Sequence, residues 1–364
     1  MTLKMKEKKT HATHFLSVYK FKPARSHQRR RRKMQTLNAH CLQARDPRTD
    51  IEFERLLLPT APMTQYYSRK NERKTVIHWG QRKLLFSEIE FLTMAKPPLE
   101  KRCVVIYAGA APGTHVKTLS RMFPEHRFVL VDPAQFTVHA DGDRIITRQA
   151  FFSDELAGEL KDEYEGWHVL FVSDVRSTDP ELDDPVENER RIKIDMDSQA
   201  QWHRTLRPFK SMLKFRPPYT AGTTRYLEGE VFLPVWGPIS TTECRLVVDT
   251  DAQEQDYDNT EHEARMFHFN TVTRPALYPH TVRACGLDHC YDCRAEVEIL
   301  RKFMGPAATD RAVSWFSQRI SADLSRYRTL AHPNPDPVER VRVIRQQQWV
   351  AGRPAYRVVH QTQP

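Results

Sequence analysis

The stretch IYAGAAPGTHVKTLS, residues 106–120, ends a continuous apolar run, CVVIYAG (103–109), on a glycine and opens a helical pattern, THVKTLSRMF. A strand buried on both faces that turns through glycine into a helix is the first unit of an α/β layer. Gly109 and Gly113 sit at that turn, where the missing Cβ lets the backbone bend sharply and lets a ligand approach it. No GK[ST] follows, so this is not a Walker loop, and it is not a full GxGxxG either. Asp132 ends the next strand, RFVLVD (127–132), 23 residues after Gly109. A carboxylate there accepts hydrogen bonds from the two hydroxyls of an adenosine ribose. The bland alternatives are a plain turn and a solvent-facing strand-end acid; together the two features favour an adenosine-bearing cofactor.

Outward from this unit the pattern repeats. WHVLFVSD (167–174) and ECRLVVDT (243–250) read as strands, and DSQAQWHRTLRPFKSML (197–213) reads as a helix, with SMLKF continuing into a strand. QRKLLFSEIEFLTMA (81–95) places Leu84, Leu85, Ile89 and Leu92 on one buried helical stripe, and DRAVSWFSQRISADL (310–324) does the same with Val313, Phe316, Ile320 and Leu324. Pro217 to Thr242 reads as a long Pro- and Gly-bearing loop. The expected fold is α/β, with a central, mostly parallel sheet and helices on both faces. Residues 1–50 read as a basic, disordered tail, 51–330 as the folded domain and 331–364 as a Pro- and Gln-bearing tail.

The net charge of +10 belongs to one end: residues 1–33 hold 12 Lys or Arg against Glu7 alone, and the remaining chain is nearly neutral. Such a tail suits RNA, an acidic partner or an import receptor, or serves only as a solubilising extension. No apolar run approaches the ~18 residues of a membrane span, and the first residues lack an apolar signal segment, so a cytoplasmic protein is expected. Six cysteines in 364 residues fit reduced thiols. The cluster CGLDHCYDC (285–293) sets Cys285, His289, Cys290 and Cys293 close in sequence. A second C-x2-C pair is missing and His289 adjoins Cys290, so free thiols are the expectation and no metal is assigned.

GQRKLLFSEIEFL, YAGAAPGTH, FVSDVRS, LKFRPPY and TTECRL occur in the order, and at roughly the spacing, of the poxvirus-type cap-specific mRNA 2′-O-methyltransferases, a family that doubles as the small, stimulatory subunit of the viral poly(A) polymerase. The chain resembles that family over roughly residues 60–305. The resemblance implies a Rossmann-like methyltransferase fold, S-adenosylmethionine (SAM) as methyl donor and a catalytic tetrad at Lys83, Asp174, Lys214 and Glu243. It also implies cofactor contacts at Gln81, Leu84, Tyr107, Gly109, Gly113, Asp132 and Asp174. One departure is Ala134, which stands where the family has an arginine two residues after the ribose acid.

Those residue types suit the chemistry. A ribose 2′-hydroxyl is a poor nucleophile, so the protein must orient it and help remove its proton; a lysine amine does this once desolvation or a neighbouring ammonium lowers its pKa. Lys214 is assigned that task, with Lys83 and Glu243 setting its electrostatics and Asp174 holding it. Each has a bland alternative: a solvated helix lysine, a strand-end acid paired with Arg176, a glutamate paired with Arg245.

The resemblance further implies an m7G-capped mRNA substrate whose cationic base is stacked between two aromatic rings and met by carboxylates. Tyr219 matches one ring and Tyr66 or Tyr67 the other; Glu263 matches one carboxylate, and the second position falls on Ala221. Arg176, Arg216 and Arg245 are candidates to grip the RNA backbone, or else partners for nearby acids. A poly(A) polymerase catalytic subunit is an implied partner, and the virion or viral factory an implied location. Two other readings stay open: a non-enzymatic RNA-binding subunit on a methyltransferase scaffold, and a 2′-O-methyltransferase of uncapped RNA.

Overall fold

A computed structural model of the 364-residue chain describes residues 48–67, 80–98, 100–178, 184–238, 240–284 and 287–324. The two expected tails lie outside these, apart from residues 48–50; the Arg48 carbonyl accepts the Leu277 N–H at 2.9 Å. The strands are β1 (Cys103–Ala108), β2 (His126–Val131), β3 (Ile145–Arg148), β4 (His168–Ser173), β5 (Lys210–Phe215), β6 (Thr223–Leu227), β7 (Glu230–Phe232), β8 (Cys244–Asp249) and β9 (Glu254–Asp258). The helices are α1 (Gly80–Met94), α2 (Val116–Met122), α3 (Asp154–Glu163), α4 (Pro185–Leu206), α5 (Asn259–His268), α6 (Tyr291–Met304) and α7 (Asp310–Leu324).

Seven strands form one sheet in the order β3-β2-β1-β4-β5-β8-β7, while β6 and β9 form a separate antiparallel pair. The first five are parallel, and β8 runs antiparallel to β5. From β1 the chain steps one way to β2 and β3, then the other way to β4 and β5. Right-handed crossovers in opposite directions put their helices on opposite faces. The helices accordingly pack in two groups, α1 with α2 and α6, and α3 with α4. β1 and β4 are buried along their whole length, as their unbroken apolar runs require. The expected α/β fold with its mostly parallel sheet is what the chain adopts.

Three expectations are corrected. The helix expected to run to residue 213 stops at Leu206: Arg207 takes a left-handed conformation (φ 46°) and Pro208 cannot continue the helix. KSML therefore belongs to β5. The stretch from Pro217 to Thr242 is not a plain loop, for it contains β6 and β7. Leu84 is only half-buried, whereas Leu85, Ile89 and Leu92 are in the core. α1 is moreover buried well beyond one stripe, and carries buried charges with partners. Arg82 makes a two-pronged pair with Glu296 at 2.8 and 2.5 Å, Glu88 meets His115 at 2.8 Å, and Glu90 meets Arg55 at 2.8 Å. A buried charge persists only when matched in this way. The helical face of α7, Val313, Phe316, Ile320 and Leu324, is buried as expected.

Candidate active site

Lys83, Asp174, Lys214 and Glu243 come from four separate elements and meet at one point. Asp174 follows the end of β4, Lys214 lies near the end of β5, Glu243 immediately precedes β8, and Lys83 projects from α1. Because β5 and β8 are antiparallel, Lys214 pairs in register with Arg245, which puts both side chains on the same face of the sheet. Lys214 Nζ lies 3.2 Å from Asp174 Oδ1 and 3.7 Å from Glu243 Oε2. Lys83 Nζ donates to Glu243 Oε1 at 2.8 Å. Arg245 donates to Asp174 Oδ1 at 2.7 Å and to Glu243 Oε1 at 3.1 Å, and Arg176 approaches Glu243 Oε2 at 3.5 Å. Gln199 of α4 clamps the Lys214 backbone, accepting its N–H and donating to its carbonyl, both at 3.1 Å.

Four cations thus face two carboxylates in a nearly dry crevice. Burial pushes the Lys214 ammonium below its ordinary 10.5; Asp174 and Glu243 oppose this, while Arg176 and Lys83 reinforce it. For Asp174, burial alone would raise the carboxyl, but Lys214, Arg245 and Lys83 outweigh it and hold the group below its ordinary 3.8. Glu243 is held well below its ordinary 4.5 by Lys214, Lys83, Arg245 and Arg176, again against its burial. The carboxylates stay ionised and the lysine is the group most easily made neutral. That is the arrangement of a general base.

Beside it lies the glycine loop. Gly109 and Gly113 both have positive φ, +78° and +68°. A Cβ on Gly109 would lie 2.8 Å from the Val175 nitrogen, and one on Gly113 would lie 2.8 Å from Val138 Cγ1. Their freedom is therefore spent on the bend and on packing against the chain itself, not on leaving a gap for a ligand. The loop is pinned on both sides. Asp132 accepts the N–H groups of Ala111 (3.0 Å) and Ala134 (2.8 Å), and Gln81 accepts from the Thr114 hydroxyl and meets His115 Nδ1 at 3.0 Å. Asp132 is half-buried, and each of its oxygens keeps a lone pair for a further donor. Ser173 Oγ, buried at the end of β4, has no partner among the described residues. Tyr107, expected to line the loop, is 1% exposed within β1, and burial, reinforced by Glu88, pushes its phenol up; its ring meets His115 of the loop edge-on. Phe151, three residues past the end of β3, is 80% exposed at the same end of the sheet.

A second set of side chains lies past β5. Tyr219 is half-exposed, its hydroxyl 2.9 Å from Thr242 Oγ1 and its ring covered by the Arg216 guanidinium at 4.2 Å. Glu189, from α4, accepts from Arg216 Nη2 at 2.7 Å and from the Tyr219 N–H at 3.2 Å. Glu263 of α5 is raised above its ordinary range by burial, with Arg216 pulling it down and Glu189 pushing it up, so the two carboxylates sense one another around one guanidinium. Tyr66 and Tyr67 are both largely exposed, each edge-on to Phe267 of α5 at 5.3 and 5.2 Å. Tyr66 and Tyr67 thus adjoin the helix that carries Glu263, α5, with Tyr219 beside it through Thr242. Glu189 was missed because it lies 30 residues before Tyr219; no local spacing connects them.

Of the three candidate RNA-gripping arginines, two take the acid-paired alternative. Arg216 and Arg245 are 6% and 5% exposed and are held by Glu189 and by Asp174 and Glu243. Arg245 is a fifth member of the charged cluster. Arg176 is half-buried, with longer contacts to Glu243 (3.5 Å) and Asp195 (3.9 Å), and keeps the most freedom of the three.

A family model described as "Poly A polymerase regulatory subunit" matches residues 60–295. Similar curated proteins include the "Cap-specific mRNA (nucleoside-2'-O-)-methyltransferase" of Myxoma virus (strain Lausanne), 26% identical over 220 residues, covering 55% of this chain and 63% of that protein. The protein of the same description from Fowlpox virus (strain NVSL) is 26% identical over 224 residues, covering 54% of this chain and 68% of its own length. The chain thus spans 63% of the length of the Myxoma relative. A solved structure of bluetongue virus VP4, described as a multifunctional RNA-capping production line, aligns with a TM-score of 0.39 and 11% identity over 64% of this chain and 36% of that one.

Proposed function

The chain belongs to the poly A polymerase regulatory subunit family, and from that premise we propose that it methylates the ribose 2′-hydroxyl of the first transcribed nucleotide of m7G-capped RNA, converting cap 0 to cap 1. The observation that carries this reading is Lys214, a buried lysine depressed by its surroundings and flanked by two carboxylates that remain charged. SAM, when bound, supplies the methyl group. Asp132 and the loop from Gly109 to Gly113, at the carboxyl ends of β2 and β1, would hold it, with Leu84 on α1 and Phe151 beyond β3 as further candidates. Lys214 in its neutral form accepts the hydroxyl proton. Asp174 and Glu243 aim the amine and then stabilise the ammonium that results, and Lys83 balances Glu243.

For the cap, Tyr219 offers a ring face already covered by a cation. An N7-methylated guanine is also a cation, and Glu189 and Glu263 are the carboxylates to meet its edge. Glu189 stands in for the acid absent at Ala221. Arg216 then serves as a place-holder over Tyr219, displaced or shifted when the base stacks. The family description and the basic tail support a second role beside a poly(A) polymerase catalytic subunit, with the cytoplasm, in a virion or viral factory, as the place of action.

The test is to incubate the protein with labelled SAM and short RNAs bearing m7GpppN, GpppN or a 5′-triphosphate. Label on the 2′-oxygen of the m7G substrate alone is expected. Label on the triphosphate RNA would favour the uncapped substrate, and tight RNA binding without label would favour a purely regulatory subunit.

A further inference from the structure

The segment around Cys290 takes no part in the crevice, yet it gathers metal-type donors. An Asp288 carboxylate oxygen and the Sγ atoms of Cys290 and Cys293 all lie within 4.8 Å of one another. Two thiolates bound at about 2.3 Å to one tetrahedral zinc are about 3.8 Å apart, so side-chain movements of up to about 1 Å bring this trio onto a common ion. Both sulfurs are buried. Cys290 is the N-cap of α6, and its sulfur accepts the Cys293 N–H at 3.5 Å, while the Cys293 sulfur accepts the Asp288 N–H at 3.3 Å. Two backbone N–H groups thus orient both sulfurs within the loop.

The loop is also fixed from outside. Tyr278 N–H donates to the His289 carbonyl at 2.7 Å, and His280 Nε2 donates to the Asp288 carbonyl at 2.6 Å. Because a carbonyl can only accept, His280 carries a proton on Nε2 there. In the neutral ring Nδ1 then keeps its lone pair, and that atom is buried without a hydrogen-bond partner among the described residues. Two thiols and a carboxylate thus lie within six residues of chain, and His280 braces that loop from eight residues before Asp288. Cys285, the other cysteine of the sequence cluster, lies outside the described residues.

We propose that Asp288, Cys290 and Cys293 bind a structural zinc ion that staples this loop to the start of α6. Two thiolates with a hard oxygen suit zinc, whereas calcium and magnesium take oxygen donors. The ion replaces the two thiol protons, which pass to solvent. The fourth tetrahedral position goes to a donor outside the trio. The staple matters because of what α6 carries. Asp292 accepts from Arg274 and from the Trp236 N–H, and Glu296 accepts from the Trp236 indole and from Arg82, the residue before Lys83.

The full chain, purified under reducing conditions and dialysed against metal-free buffer, is expected to retain about one zinc per chain by elemental mass spectrometry. Cobalt(II) substitution should give a sulfur-to-cobalt charge-transfer band in the near ultraviolet that is lost in Cys290→Ser and Cys293→Ser and weakened in Asp288→Asn. Should those variants fail to fold, alkylation of the wild-type thiols, followed by peptide mass spectrometry with and without added zinc, serves instead: zinc should protect Cys290 and Cys293 and leave Cys103 unchanged. Zinc below about a tenth of an equivalent after zinc loading, or equal alkylation of Cys290 with and without the metal, overturns the proposal.

Discussion

Lys214 and Arg245 stand opposite each other on β5 and β8 and reach for the same oxygen: Asp174 Oδ1 lies 2.7 Å from the arginine and 3.2 Å from the lysine. The arginine has the closer hold. Lys214 therefore shares its counter-charge with a stronger donor, and nothing in the crevice compensates it fully.

Removing that competitor should make Lys214 harder to deprotonate. In Arg245→Leu one cation is gone and Asp174 is free to bind the ammonium, so the Lys214 pKa rises. Since the neutral amine is the active form, the rising limb of the rate of 2′-O-methyl transfer against pH should move to higher pH. Single-turnover rates across pH measure it; an unmoved or lowered midpoint contradicts the assignment. In Lys214→Met the rate should fall by about 10²–10⁴ and the limb should vanish.

The two carboxylates link the site to stability. Their folded pKa values lie below the ordinary 3.8 for Asp174 and 4.5 for Glu243. Their contribution is complete at pH values above those figures and is lost as pH falls through the lower folded ones. Urea denaturation should accordingly find Glu243→Gln less stable than the parent at pH 7, with the gap closing in strong acid where the parent glutamate is itself neutral. A gap independent of pH would show that Glu243 acts by shape and not by charge.

Glu189 should matter to the cap and not to methyl transfer itself. Glu189→Gln keeps the shape and removes the charge, and a lost charged hydrogen bond of about 1.5–3 kcal/mol corresponds to roughly 10- to 100-fold weaker binding of m7GpppG. Affinity for unmethylated GpppG should fall less, because it lacks the cationic ring. Fluorescence titration with both dinucleotides reads the difference, and Tyr219→Ala should erase the preference altogether.

Behind the crevice, Arg82 and Glu296 form a fully buried pair. Arg82→Met leaves Glu296 charged and without its guanidinium, at a cost of about 3–5 kcal/mol. Pairing it with Glu296→Gln should recover part of that loss, since the stranded charge disappears. Equal instability of single and double variants in urea would show that packing, and not charge, dominates there.

By itself the sequence determined the strands at 103–109, 127–132, 167–174 and 243–250, the glycine turn and the order of the site residues. The apolar run CVVIYAG, the acid at the end of RFVLVD and the helical face of α7 are local patterns, and burial imprints its period directly on neighbouring residues. Lys83, Asp174, Lys214 and Glu243 could be named from their motifs. Their electrostatics could not, because most of the partners that set each charge lie far away in the chain, up to 160 positions for Lys83 and Glu243. Only the tertiary structure paired Arg245 with Asp174 instead of leaving it for RNA, brought Glu189 beside Tyr219, gave Arg82 its partner in α6 and converged Asp288 with Cys290 and Cys293. Register between strands and the packing of one helix on another decide such contacts, and neither leaves a period in the chain.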